Sequence, residues 1–348
     1  MVSHDAMNRL LFDESVRALQ QIVALTQVQR ETGYLVIDDV VIGKTGTKID
    51  GIQYLYSSAE EATVLGLNAV VLGWTDGNVF IPLTFRFWKR PLNEEEAKKA
   101  KRYRKKKPGE RLPRAFDDTP FRTKIELANE MLAWARRRGF KPTAVLFDAY
   151  YLCADVMACL KRWDWDWISR LKGNRRLKYK EEWVSPKTWV AKAEAVKAPT
   201  LQQSVRVGLP GWGEVRVMAV KHKADKEARF LVGSNPEWGR DKIDRLYGLR
   251  WSIEVCFRDT NQALGLKGCQ CRRFQAQENH FALIMLAYVF LESQKVRGES
   301  AGETLRRLVD RPVMVYGRVP GPKVRQIKLE RRRRPRHAPT VPLSARVA

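Results

Sequence analysis

Two β-type runs, Ala62 to Trp74 and Val79 to Trp88, are separated by Thr75-Asp76-Gly77-Asn78, and no other stretch limits the fold as tightly. Asp-Gly between such runs is the strongest short-range signal for a β-hairpin, because a tight turn needs residues that tolerate positive φ. An antiparallel sheet therefore opens the folded part. Upstream, Tyr34 to Asp38 (YLVID) reads as a buried strand closing on a pair of carboxylates, Asp38 and Asp39, and Gly51 to Ser57 as a further strand. Asp5 to Gln29 has the apolar spacing of one or two helices.

Downstream the texture alternates. Thr123 to Arg138 is an amphipathic helix ending at Gly139. Ala144 to Phe147 (AVLF) is a second buried strand, and it runs straight into Asp148. A helix over Leu152 to Trp163 and a strand over Trp165 to Leu171 follow. From Asn174 to about Arg240 short β-type runs are broken by Gly and Pro, which marks a β-rich insertion. Asp241 to Leu266 then has few breakers and predicts one long helix. At 100° per residue, Tyr247, Arg250, Glu254, Arg258 and Asn261 share one face of it, beside an apolar arc of Leu246, Leu249, Ile253, Cys256, Phe257 and Leu264. On periodicity alone that polar stripe reads first as a solvated face with i,i+4 ion pairs such as Arg250 with Glu254.

The 348 residues carry 64 Lys and Arg against 39 Asp and Glu, a net charge of +25, which calls for a polyanionic partner, with nucleic acid foremost. Bases concentrate between Lys98 and Lys107, on a segment from Asn93 with acidic residues first, and again from Glu330 to Arg336. Both suit contact with a phosphate backbone, or a solvated loop. The most apolar run, Phe281 to Leu291, is too short to span a bilayer, and the amino terminus lacks a secretory pattern, so a cytoplasmic, nucleoid-associated location is expected. Five cysteines do not make a disulfide framework, and Cys269-x-Cys271 lacks partners for a zinc site.

Three acidic positions stand at the ends or flanks of buried elements: Asp38 or Asp39 on the first strand, Asp148 after a later one, and Glu254 on the late helix. The order of elements is that of a ribonuclease-H-like α/β domain, a mixed sheet flanked by helices in which the first and fourth strands end side by side under the late helix. Clustered carboxylates there are hard oxygen ligands suited to Mg²⁺ or Mn²⁺. Strand alternation sends Asp38 and Asp39 to opposite faces, so only one joins them, and Asp38, closing the run, is the expected one.

The string Tyr247-Gly-Leu-Arg250-Trp-Ser-Ile-Glu254 has the Y-x-x-R-x-x-x-E spacing of DDE transposases of the insertion-sequence-four group, and Leu146-Phe-Asp148-Ala-Tyr-Tyr151 and Val36-Ile-Asp38-Asp39 with Lys44 and Gly46 are also similar to that group. The resemblance covers roughly residues 34 to 292. It implies a metal-binding catalytic triad of Asp38 (or Asp39), Asp148 and Glu254 holding two Mg²⁺ ions, which Mn²⁺ can replace. Tyr247 and Arg250 would contact DNA phosphate near the cut, on double-stranded transposon ends and target, with a homodimer acting on paired ends. Where the group usually carries Lys, this chain has Asn261, and Arg258 is the cation on that face. The expected organisation is a helical segment over 1–33 standing for a shortened DNA-binding region, a catalytic core over 34–173 and 241–295 interrupted by the insertion over 174–240, and a basic tail over 296–348. Trp212 and Trp238 of the insertion are candidates for stacking on a base or, more simply, for the core. A metal nuclease that cuts without joining, and an inactive DNA-binding remnant, stay open as alternatives.

Overall fold

The computed structural model describes residues 15–58, 60–89, 121–179, 181–188, 204–220, 229–296 and 298–310, together with 11, 13, 95, 98 and 102. The basic segments over 98–107 and 330–336, and the first part of the expected amino-terminal helix, lie outside these residues apart from single positions.

Helix α1 (Val16–Thr26) precedes strands β1 (Tyr34–Gly43), β2 (Gln53–Ser57), β3 (Ala62–Thr75) and β4 (Phe80–Trp88). The β3–β4 hairpin forms as the Asp-Gly signal requires, with Gly77 at φ 100° and Asp76 Oδ1 accepting from the backbone N–H of Asn78 and Val79. Helix α2 (Lys124–Arg137) starts at a capping box, Thr123 with Glu126, which satisfies two otherwise orphaned N–H groups. Strand β5 (Ala144–Phe147), helix α3 (Ala154–Arg162) and strand β6 (Trp167–Leu171) follow, then β7 (Leu177–Tyr179), β8 (Glu182–Val184), β9 (Val205–Leu209), β10 (Gly213–Val220) and β11 (Arg229–Gly233). Four helices close the described chain: α4 (Arg240–Gly248), α5 (Trp251–Ala263), α6 (Phe274–Ser293) and α7 (Ala301–Asp310).

All eleven strands belong to one sheet. Its centre runs β4-β3-β1-β5-β6: β3 is antiparallel to both β4 and β1, while β1, β5 and β6 are mutually parallel neighbours. This is the ribonuclease-H-like order expected from the sequence. Gly43 of β1 and Gln53 of β2 both pair with Gly66, so β2 lies on the edge of β3 away from β1, end to end with β4. The β-rich stretch does not stand apart as a layer of its own. Strand β11 pairs antiparallel with β6, and β10, β9, β7 and β8 continue the sheet outward.

The two faces of the sheet are sorted by strand alternation. Leu35 and Ile37 of β1 pack with Leu127, Met131 and Leu132 of α2 and Val156 and Leu160 of α3. Val36 and Ile42 pack on the opposite side with Ile253 and Cys256 of α5 and Phe281, Met285 and Tyr288 of α6. Helix α1 is fastened to β4, where Gln20 Nε2 donates to Pro82 O at 2.7 Å and Arg17 Nη2 to Phe85 O at 2.7 Å. The apolar run Phe281 to Leu291 is part of α6, as its buried Phe281, Met285 and Val289 require. No helix among the described residues is long and apolar enough to cross a membrane.

One expectation is corrected. The single helix from Asp241 to Leu266 is two helices, broken at Leu249 and Arg250. Both residues keep right-handed helical dihedrals, but Leu249, Arg250, Ser252 and Ile253 donate to carbonyls three residues back instead of four. A 3₁₀ turn of this kind overwinds the chain. Gly248 weakens the helix just before it, and the Ser252 hydroxyl takes up the Leu249 carbonyl at 2.7 Å.

Candidate active site

The parallel register of β1 with β5 sets the first two carboxylates. Ile37 pairs with Phe147, so Asp38 and Asp148 are the next residue on each of two adjacent strands. Asp38 follows the alternation toward the α5 side of the sheet and Asp39 toward the α2 side. The turn after β5 then fixes Asp148: its Oδ1 accepts from Tyr150 N at 2.9 Å and Tyr151 N at 3.4 Å, and its own carbonyl takes the Ser169 hydroxyl at 3.0 Å.

The 3₁₀ turn between α4 and α5 delivers Arg250 into this corner. Its Nη1 donates to Asp38 Oδ2 at 2.8 Å and its Nη2 to Glu254 Oε1, one turn on in α5. One guanidinium thus bridges two carboxylates from distant parts of the chain, with the Arg250 side chain 12% exposed and Asp38 17%. The planar fork of arginine suits this bridging role. Burial is the largest influence on Asp38 and pushes its carboxyl up to about 7; Arg250 pulls it down, while Asp148 and Asp39 push it up further. Asp148 is raised by burial too, opposed by its two backbone hydrogen bonds and pushed again by Asp39. Burial works against the charge on Arg250, but Tyr247, Asp38 and Glu254 outweigh it and hold the guanidinium ionised. The half-buried Tyr247 lies with its ring 5.5 Å from that guanidinium, and burial pushes its hydroxyl up to about 12. Raised carboxyl pKa values beside a buried cation are characteristic of functional sites.

Asp39 has a separate set of partners. Its Oδ2 accepts from Lys124 Nζ and Asn68 Nδ2, both at 2.7 Å, and its Oδ1 from the hydroxyl of the fully buried Tyr151 at 3.2 Å. Lys124, Asn68 and Tyr151 were not legible as site residues. Lys124 is 85 positions from Asp39 and joins it only because α2 begins beside the middle of β1; the Tyr pair after Asp148 was the one visible signal.

Of the residues singled out from the sequence, Asp38, Asp148, Tyr247, Arg250 and Glu254 come together. Arg258 does not join them: it is 52% exposed and donates to the neighbouring Asp259 at 3.2 Å, on the stretch of α5 leading away from the site. Trp238 is buried, and Trp212 packs edge-on against Trp167 with its Nε1 donating to Ser234 O, so both serve the core. Among the described residues no three His, Cys, Asp or Glu side chains stand close enough to hold a metal as they are placed. Arg250 lies between Asp38 and Glu254, where it balances their charge.

Residues 3–204 match the family described as DDE superfamily endonuclease, over half of the chain. The chain belongs to that family. Asp38 and Asp148 lie inside the matched range, which ends before Glu254. Among solved structures it is similar to the piggyBac transposase synaptic complex with hairpin DNA, at 11% identity and a TM-score of 0.43, covering 79% of this chain and 51% of that one. It is also similar to the Drosophila P element transposase strand transfer complex, at 10% identity and a TM-score of 0.22, covering 93% of this chain and 69% of that one. The chain thus spans about half the length of the piggyBac chain. No curated protein matches it.

Proposed function

We propose that the chain is a DNA transposase that hydrolyses a phosphodiester at the ends of an insertion sequence and joins the freed 3′-hydroxyl to target DNA, with Asp38, Asp148 and Glu254 as the metal-holding carboxylates. What carries this reading is the register of β1 with β5, which puts Asp38 and Asp148 side by side, together with the one guanidinium that ties Asp38 to Glu254. Three carboxylates with hard oxygen atoms match Mg²⁺ or Mn²⁺ in donor chemistry, and the corner they share already accommodates a cation in Arg250. When bound, such ions would supply charge stabilisation to the displacement at phosphorus.

The chain's own groups do the rest. In the hydrolytic step a water oxygen bonds to phosphorus, the bond from phosphorus to the 3′-oxygen breaks, and that oxygen leaves as the 3′-hydroxyl after taking a proton. In the joining step the oxygen of that hydroxyl bonds to a target phosphorus and gives up its proton, the bond from that phosphorus to the target's own 3′-oxygen breaks, and that oxygen leaves as a hydroxyl after taking a proton. Without a cation, burial holds Asp38 up at about 7, so a divalent cation binding there would displace a proton near neutral pH. Arg250 offers a fork that fits a phosphate as well as it fits the two carboxylates, and would turn to the scissile phosphate if those carboxylates held a metal. Tyr247 walls one side of that fork. The net charge of +25 supplies affinity for the DNA backbone without a sequence code. A homodimer on paired ends, and a place among the nucleoid, complete the proposal.

The test is nicking of labelled duplex carrying the inverted repeats that flank the gene, with Mg²⁺, comparing wild type with Glu254→Gln and Asp148→Asn. Each substitution removes a negative oxygen and nearly keeps the shape. Wild type is expected to cut and to join products. Both variants are expected to bind DNA yet lose about 10²–10³-fold or more in cutting rate, the equivalent of several kcal/mol of transition-state stabilisation. Variants that cut at the wild-type rate would overturn the assignment of the three carboxylates.

A further inference from the structure

The two elements that carry the carboxylates also leave the site toward a common place. Strand β1 continues five residues beyond Asp38 to Gly43, about 17 Å at 3.3 Å per residue. Helix α5 continues nine residues beyond Glu254 to Ala263, about 14 Å at 1.5 Å per residue. Where they end, the connection over 264–273 crosses over the loop that follows β1. Lys44 Nζ donates to the carbonyls of Lys267 and Cys269, both at 3.2 Å, and Asp50 N donates to Arg272 O at 2.8 Å. From the far side His280 Nε2 meets Gly265 O at 3.1 Å, and Gln277 Nε2 donates to Cys269 O at 3.3 Å and Cys271 O at 2.6 Å. A segment without regular secondary structure is thereby fastened through its carbonyls, with Leu266 and Cys269 buried beneath it.

The outward surface of this strap is basic. Lys48, Lys267 and Arg272 are exposed, and Arg258 stands on the stretch of α5 that leads to it. The acidic groups beside them are Glu60, which pairs with Lys267 at 2.8 Å, and Asp259, a buried residue of α5 that pairs with Arg258, with Asp50 in the loop after β1. A fixed backbone with mobile cationic tips is suited to following a regular array of phosphates.

We propose that the strap over 264–273 and the loop over 44–50 form a duplex-DNA backbone contact about 15 Å from the carboxylates, four to five base pairs from the scissile phosphate at 3.4 Å per pair. This rests on the reading of the carboxylate corner as the cutting site, and adds the direction in which the duplex leaves it. Arg258, exposed and among the described residues paired to its neighbour Asp259, belongs to this track and not to the scissile phosphate.

The experiment measures binding of a labelled duplex by fluorescence anisotropy in EDTA, across a salt series, for the full-length wild type and for Lys48→Gln/Lys267→Gln/Arg272→Gln. A control, Arg136→Gln/Arg137→Gln/Lys141→Gln, removes three exposed charges near the opposite, amino-terminal ends of β1 and β5. The strap variant is expected to weaken binding on all sequences and to flatten the slope of log K against log salt by up to about 3, with the control unchanged. A strap variant with wild-type affinity and slope, or a control that loses as much, overturns the strap. The nicking assay separates the two readings: if strap variants bind as wild type while Glu254→Gln abolishes cutting, the cutting site stands and the strap falls. A wild type that binds no DNA overturns both.

Discussion

Replacing Arg250 by Met keeps the length and apolar stem of the side chain and removes the guanidinium that bridges Asp38 and Glu254. At 12% and 17% exposure the Arg250–Asp38 pair is in the buried regime, where removing one partner costs about 3–5 kcal/mol because the other charge stays behind uncompensated. Glu254, 32% exposed, adds no more than about 1 kcal/mol through its own contact with Arg250. The sign with pH follows from Asp38. Its folded pKa, about 7, lies above its unfolded value of 3.8, so the folded state holds the extra proton between them and deprotonation costs stability as pH rises through 7. Loss of Arg250 raises that pKa further. Near pH 8 the variant therefore has to keep a proton against the solution or bury a bare carboxylate, and its loss grows by up to about 1.4 kcal/mol for each pH unit above 7, to about 2–3 kcal/mol at pH 8. Near pH 5 Asp38 is neutral in both proteins, and the loss shrinks to about 1 kcal/mol. Urea unfolding of wild type and variant at the two pH values, followed by tryptophan fluorescence, reads the difference from the midpoints at constant slope. A loss below about 1 kcal/mol that is the same at both pH values would refute the bridging role of Arg250.

Two further outcomes follow from the same corner. Protons compete with a divalent cation for Asp38, so half-saturating Mg²⁺ in the nicking assay should rise as pH falls below about 7, by up to about tenfold per pH unit for one proton displaced, and stay level above it; a titration series at fixed ionic strength checks this, and a flat dependence would remove Asp38 from the cation site. Asp38 and Asp39 should also part company in stability: Asp39→Ala leaves Lys124, Asn68 and the buried Tyr151 hydroxyl without their acceptor and should cost about 3 kcal/mol, whereas Asp38→Asn at about pH 8 relieves a buried carboxylate and should be neutral or stabilising. Thermal unfolding of the two variants at that pH decides it, and equal destabilisation would mean that the strand had been assigned the wrong face.

Much of the fold was written locally. The Asp-Gly turn between two β-rich runs, the four-residue strand before Asp148 and the Thr123 to Glu126 capping box each depend on near neighbours in the chain, and each element formed where its residues placed it. The late helix was the exception. Its apolar arc ran unbroken through Leu249, and periodicity carries no information on whether a donor reaches three or four residues back; that choice is made by where the packed faces of α4 and α5 have to lie.

The sequence by itself determined the alternation that separates Asp38 from Asp39, because side chains of a strand point to opposite faces whatever the strand packs against. It also determined the one-turn spacing of Arg250 and Glu254 and the strongly basic balance of the chain. Tertiary structure alone decided the register of β1 on β5, which makes two carboxylates 110 residues apart into neighbours, and the arrival of Lys124 beside Asp39 across 85 residues. It also decided that Arg258 looks outward along the strap instead of into the site. These are long-range choices among backbone pairings and packed faces, set by burial over the whole sheet, and no window of local sequence contains them.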